Sequence, residues 1–323
     1  MTPGDFENKH GARWEEFEQL VTSMERGKPL LGIDRLPQKF RELCVDLSLA
    51  RARMYSPRLV ERLNALVIRG YELIYRGRRS GWEAVVRFAA VKFPQTVRRE
   101  WRLFWLCSAM FWLPFFALLV AAKHDLTWIQ AILGSEGMNG MERMYGKGQE
   151  SLSNLRADHG SNFMMFGFYI QNNVSIDFRI FAGGIAAGLG TLFFLLFNGL
   201  QIGASAGYVT EVGSPTAFWS FVAGHSSFEL LGMTVAGVAG MRLGMAILRP
   251  GRLPRSRALV EAGKRALPLI YGAAAMTTLA AVVEGFWSAQ PIPPMVKYVV
   301  GIVGWLAHAG YFLFVGKGAA DEA

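Results

Sequence analysis

Hydrophobic positions are arranged in two different ways along the chain. Up to about residue 100 they recur at helical spacing between charges. Trp14, Phe17, Leu20, Val21 and Met24 share one face of a first predicted helix, and Phe40, Leu43, Cys44, Leu47 and Met54 repeat the pattern. Ser56-Pro57 is an N-cap followed by proline in the first turn, and it opens a third helix with the stripe Leu59, Leu63, Leu66, Val67 and Ile74. A fourth, Trp82 to Val91, is interrupted by Pro94 and leads to Arg98, Arg99 and Arg102. Beyond residue 102 the pattern changes to long apolar runs. Residues 103–122 carry no charge, and 20 residues at about 1.5 Å each cross about 30 Å of hydrocarbon. Further spans are predicted at 180–200, 228–248, 266–287 and 296–315. The uncharged run 163–170 is too short to cross and is expected to lie in the interface or re-enter.

Charge orders these spans. Residues 1–102 hold 20 Lys and Arg against 13 Asp and Glu, seven of the nine net positive charges. Residues 123–179 hold five against six, and 249–265 hold six against one. Positive loops stay on the cytoplasmic side. Five crossings from an inside start would put the 249–265 loop outside, so six crossings are preferred, with five plus a re-entrant segment as the alternative. Residues 202–223, with Glu211, Gly213 and Pro215, make a poor continuous helix and are the expected sixth, discontinuous crossing. The expected fold is all-α: a polytopic membrane domain over 103–316 with an extracytoplasmic segment at 123–179. It is preceded by a basic cytoplasmic helical domain over 1–102 and followed by a short tail, 317–323. Within 123–179, Met138, Met141, Met144, Leu152 and Leu155 suggest a short amphipathic piece. Both termini fall in the cytoplasm, and the turn 290–294 falls outside.

Composition supports this division. The chain is 52% hydrophobic and 18% charged, against about 45–50% and about 25% in ordinary globular domains. Disorder, collagen and a disulfide scaffold are excluded. Two cysteines, Cys44 and Cys107, fall in different environments and are read as small buried hydrophobes. The N-terminus has no apolar core of a cleavable signal, so insertion is expected from internal helices. The basic N-terminal helices come without a recognisable nucleic-acid module, and no nucleic-acid partner is expected.

Polar groups inside the apolar region carry the candidate chemistry, because an ionisable side chain at a helix centre costs at least about 2.5–3.5 kcal/mol in hydrocarbon. His225 and Glu229 are four residues apart and share a helical face, with Glu284 near the end of the next span. Their alternatives are a structural hydrogen-bond knot, a proton or polar-substrate path, and a metal site, with zinc as the cofactor in that case and none otherwise. The His225–Glu229 spacing is not the HExxH of zinc proteases. Asn198 and Gln201 end the second predicted span, where an amide either satisfies carbonyls freed by a helix break or binds a ligand; Asn198, with Glu211 of the broken segment, joins the candidate polar site. Asn172-Asn173 is read as a cap preceding the second span, Arg242 as snorkelling to the cytoplasmic interface, and His308 as a helix-to-helix donor. Gly232, Ala236, Gly240 and Gly244 recur every four residues, a stripe for close helix packing. That packing is either internal or between the subunits of an expected homodimer. No nucleophile elbow, Walker loop or dinucleotide fingerprint is present.

Several stretches in order resemble the stage II sporulation protein M family of integral membrane proteins, over about residues 80–316. They are Phe168-Tyr169-Ile170-Gln171-Asn172-Asn173, Gly188-Leu189-Gly190-Thr191, Asn198-Gly199-Leu200-Gln201-Ile202-Gly203, His225-Ser226-Ser227-Phe228-Glu229-Leu230 and Glu284-Gly285-Phe286. Ser226 stands where the family has Gly. The resemblance implies a multi-span helical protein of the bacterial inner (cytoplasmic) membrane. In spore-formers the family member belongs to an engulfment complex and holds wall-degrading enzymes at the membrane without degrading wall itself. The basic domain looks like the addition carried by longer members outside sporulation, whose genes often accompany a MoxR-type AAA ATPase. The expected function is a non-enzymatic scaffold organising envelope complexes, with the bilayer and envelope or cytoplasmic proteins as partners. The alternatives are a transporter or channel using the His/Glu site, and an intramembrane metalloenzyme.

Overall fold

The computed structural model describes residues 2–25, 35–75, 81–146 and 161–319. Leu152 and Leu155, assigned above to an amphipathic piece, lie outside the described residues. Two compact units follow one another along the chain, Met1–Val85 and Val86–Ala323.

In the first unit, α1 (Pro3–Glu25), α2 (Leu36–Ala52) and α3 (Pro57–Tyr75) turn their apolar stripes together. Phe6, Trp14, Phe17, Val21, Leu43, Leu47, Leu63 and Leu66 form its core. Ser56 Oγ accepts the Leu59 N–H at 3.4 Å, the predicted cap of α3. Met54, predicted on the apolar stripe of α2, lies past the helix end with φ +49° and its side chain exposed. One carboxylate is buried: Asp46 accepts from Trp14 Nε1 at 2.9 Å and from Arg13 Nη2 at 3.0 Å.

The second unit begins inside α4 (Gly81–Arg87), which passes through a π-turn (Phe88–Lys92) into α5 (Phe93–Arg99). Pro94 has no N–H to give a carbonyl one turn back, and the wider turn takes up the mismatch. Residues 86–102, grouped by sequence with the basic domain, pack in this unit. Phe93 is buried against Phe312, and Arg98 Nη1 donates to the Phe312 carbonyl at 2.8 Å.

Among the described residues, five helices are long and apolar enough to cross a membrane. They are α6 (Trp101–Ala121), α9 (Leu189–Glu211), α11 (Ser226–Leu248), α12 (Arg255–Val283, extended to Ser288 by a π-turn, Glu284–Ser288) and α13 (Pro294–Phe314). Among them run α7 (Thr127–Tyr145), α8 (Asn162–Ala182) and the short α10 (Pro215–Ala223). No strand occurs among the described residues. The chain is an all-α polytopic membrane protein.

Two predicted boundaries are corrected here. Residues 180–200 are not one span: a 3-10 turn (Gly183–Ile185) and left-handed Ala187 (φ +53°) and Gly188 (φ +85°) separate α8 from α9. The run 163–170 is not an isolated re-entrant piece, because it begins α8, a helix of 21 residues. Apolar content misled in both places, since the turn contains no polar side chain while the helix contains Asn172, Asn173, Asp177 and Arg179. As expected, 202–223 is discontinuous, with its break at 212–214. Residues 202–211 complete α9, however, and only 215–223 form a separate helix. The Ser214 N–H freed at the break donates to the Tyr145 carbonyl at 2.7 Å.

Close contacts fix the helix directions. Gly199, Gly203 and Gly207 of α9 lie in turn against Phe111, Phe115 and Leu118 of α6, so these helices run parallel. Phe166 of α8 meets Phe286 while Asp177 meets Thr277, so α8 runs antiparallel to α12. Glu100, before α6, forms an ion pair with Arg242, near the end of α11. The order α6, α8, α9, α11, α12, α13 therefore alternates in direction through the bundle. α8, which is not among the five long apolar helices, packs against α11 and α12 and supplies a helix of the opposite direction between α6 and α9.

Candidate functional site

The connection from α10 to α11 is a tight turn, Gly224-His225. Gly224 abuts the Trp287 ring so closely that no Cβ fits between them. His225 is thereby the residue preceding the first turn of α11, and Glu229, one turn later, faces the same way. The third group comes from the end of α12, where the helix widens into the π-turn that starts at Glu284 and ends at Ser288. Turns of this kind occur often at functional sites. All three candidates read from the sequence, His225, Glu229 and Glu284, converge: one ligand-capable atom from each lies within 4.8 Å of the others.

His225 and Glu284 are buried, and the imidazole is fixed from both sides. Its Nδ1 pairs with Ser288 Oγ at 3.0 Å, and Phe221 meets the ring edge-on with centroids 5.4 Å apart. That pairing leaves Nε2 directed at the carboxylates, 3.7 Å from Glu229 Oε2 and 4.0 Å from Glu284 Oε1. Both separations exceed hydrogen-bonding range. Glu284 Oε2 is buried without any hydrogen-bond partner, while Asn173 reaches the same carboxyl group. Lys297 is buried beside this turn, its Nζ donating to the Ser288 carbonyl at 2.7 Å.

The other candidates lie elsewhere. Asn198 Nδ2 donates to the Phe194 carbonyl of its own helix at 2.7 Å, and Glu211 is exposed at the end of α9. Neither joins the cluster. His308 pairs with the Gly304 carbonyl of its own helix at 2.8 Å and stands edge-on to Phe228. Asn172 and Asn173 are not a cap but lie mid-helix in α8, where Asn173 is buried. The stripe on α11 is used internally: Gly232 lies against Thr277, Ala236 is fully buried, Gly240 lies against Thr191 and Ile180, and Gly244 lies against Gly188.

Four buried groups, Asp177, Thr277, Ser288 and Lys297, escaped the sequence reading. Asp177 accepts from Thr277 Oγ1 at 2.5 Å, one turn beyond Asn173 on α8. Ser288 and Lys297 complete the wall behind His225. Asn173 and Asp177 at i and i+4 gave a usable signal, a polar face on an otherwise apolar helix. Ser288 and Lys297 gave none, because their role depends on the π-turn. Geometrically, the cluster offers one nitrogen and two carboxylate oxygens converging on a point with no direct hydrogen bond among them.

Residues 103–289 match the family model described as Stage II sporulation protein M. Residues 4–76 match a second model, Domain of unknown function (DUF8413). A curated relative, the uncharacterized protein MJ0793 of Methanocaldococcus jannaschii, is 28% identical over 113 residues, covering 35% of this chain. The chain spans 60% of that relative's length. No solved structure matches it.

Proposed function

Because the chain belongs to the stage II sporulation protein M family, we propose that it is a non-enzymatic membrane scaffold that organises cell-envelope complexes. In this reading the bundle, α8 included, anchors the protein in the cytoplasmic membrane, and the segment between α6 and α8, the first part of the predicted 123–179 segment, meets envelope proteins outside. The first unit meets a cytoplasmic protein, for which the family resemblance suggests a MoxR-type AAA ATPase. The observation that carries the proposal is the joining, in one chain, of a water-type helical unit to a lipid-type bundle, each compact in itself. Sidedness follows from charge: the Glu100–Arg242 end and the 249–265 loop lie together and inside, and the loop before α13 lies outside.

Capture after in-cell cross-linking tests the proposal, comparing the full chain with residues 86–323. The truncated chain is expected to insert normally and to lose its cytoplasmic partners; an unchanged partner set removes the scaffold reading. With Cys44 and Cys107 replaced by serine, Ser256→Cys is expected to react only from the cytoplasmic side and Gln290→Cys only from outside.

Transport is a second reading, favoured by the helix break at 212–214 and the buried His–carboxylate cluster. Substrate flux into proteoliposomes that disappears in Glu229→Gln would put it in place of the scaffold.

A further inference from the structure

The geometry points to a metal site: His225 Nε2, Glu229 and Glu284 bind a divalent transition-metal cation of the zinc class, which ties the α10–α11 turn to the end of α12. This inference is independent of the scaffold reading.

Four observations carry it. First, the ligand atoms come from three places in the fold and lie within 4.8 Å of one another. A tetrahedral ion with bonds of about 2.0–2.1 Å holds its ligands about 3.3 Å apart. The Nε2 separations of 3.7 and 4.0 Å therefore contract onto an ion without a new arrangement of the groups. Second, these separations are too long for hydrogen bonds, so the groups face one another without satisfying one another. Third, Glu284 Oε2 is buried with no partner, a costly state for a carboxylate oxygen. An ion supplies what that group lacks. Fourth, His225 carries an outer support of the kind that metal-bound imidazoles use: Nδ1 pairs with Ser288 Oγ at 3.0 Å, and in the tautomer in which Nδ1 donates to that hydroxyl, Nε2 presents its lone pair to the carboxylates.

The donor set selects the class of ion. Imidazole nitrogen with two carboxylates suits zinc, manganese or ferrous iron, whereas magnesium and calcium prefer all-oxygen shells. Two carboxylates and one neutral imidazole also match a dication in charge, which matters where water is scarce. Three protein ligands leave a further position for water, so the site holds an ion without filling its coordination shell.

The test uses the full chain in nanodiscs, equilibrated with Zn²⁺ or Mn²⁺ and then freed of loose metal. Mass spectrometry of the metal is expected to find about one ion per chain. Glu284→Gln and Glu229→Gln are expected to lower retention at least about tenfold, and Ser288→Ala to weaken it by about 10–100-fold while leaving the ligands in place. Should His225→Ala fail to fold, the wild type and the two glutamine variants still decide. Chelation is expected to lower the wild-type melting temperature, and zinc to restore it, with neither treatment acting on Glu284→Gln. Failure of the wild type to retain any of these ions, with melting indifferent to chelator, overturns the site.

Discussion

The two units of this chain differ in what they expose and in what shares the interior with their apolar side chains. In the first, large apolar side chains such as Phe17 and Leu63 are inside and the charges, Asp46 apart, lie towards the surface. In the second, Leu113 and Leu306 are 70% and 67% exposed, while glycine, alanine and a set of polar groups share the interior with Phe111, Leu195 and Leu269. Water drives the first arrangement through removal of apolar surface. Lipid tails offer no such gain, so helices in the bundle associate through backbone approach and buried polar pairs. A substitution should therefore have different consequences in the two units.

Glycines in the bundle should give the largest effect. A Cβ at Gly184 meets the Gly240 carbonyl head-on, so Gly184→Leu is expected to prevent assembly and to yield only aggregate on size-exclusion chromatography. A methyl group at Gly263 would meet nothing within 4 Å; Gly263→Leu serves as the control and should behave as wild type. If both assembled alike, backbone approach would not be what holds the bundle.

Cavity formation in the first unit ranks next. Phe17→Ala is expected to cost about 3–5 kcal/mol, read as faster hydrogen exchange over 3–75. Truncation of a lipid-facing side chain, Leu306→Ala, should change stability in a bilayer by no more than about 0.5 kcal/mol. An equal loss in both would erase the distinction between them.

Polarity reverses the ranking. Leu306→Arg is expected to raise the insertion free energy of α13 by about 2.5–3.5 kcal/mol in a glycosylation-reporter assay, whereas Val45→Arg, on the exposed side of α2, should stay within about 0.5 kcal/mol. The smallest effect belongs to the surface ion pair of the first unit. Arg69 meets Glu25 at 2.8 Å, with both side chains substantially solvated, and Arg69→Ala should cost about 0.2–1 kcal/mol, falling further in high salt.

This contrast also accounts for what the sequence revealed. The helices of the first unit were legible because each carries an apolar stripe, and α6, α11 and α13 because each carries a long apolar run with few charges. Between α8 and α9 the same rule failed. Asn173 and Asp177 disguised a bundle helix as a polar segment, and Gly183 to Gly190 disguised a turn as part of a span. The charge pattern asked for a further passage, although it could not point to α8, whose apolar run is broken by Asn173 and Asp177. In the candidate site, the spacing of His225 and Glu229 placed them together, and depth in the bundle brought in Glu284. Ser288, Lys297 and the Asp177–Thr277 pair depend on tertiary approach and left no mark in spacing.

That last pair has a consequence for how the protein is made. Thr277 follows Asp177 by 100 residues, and at about 5–20 residues per second a ribosome needs about 5–20 s to bridge them. Throughout that interval the emerging α8 carries a carboxyl group whose hydroxyl partner does not yet exist. The buried pairing seen in the finished fold therefore closes only once α12 has been made, so assembly of the bundle depends on the order of synthesis as well as on the stability of the finished fold.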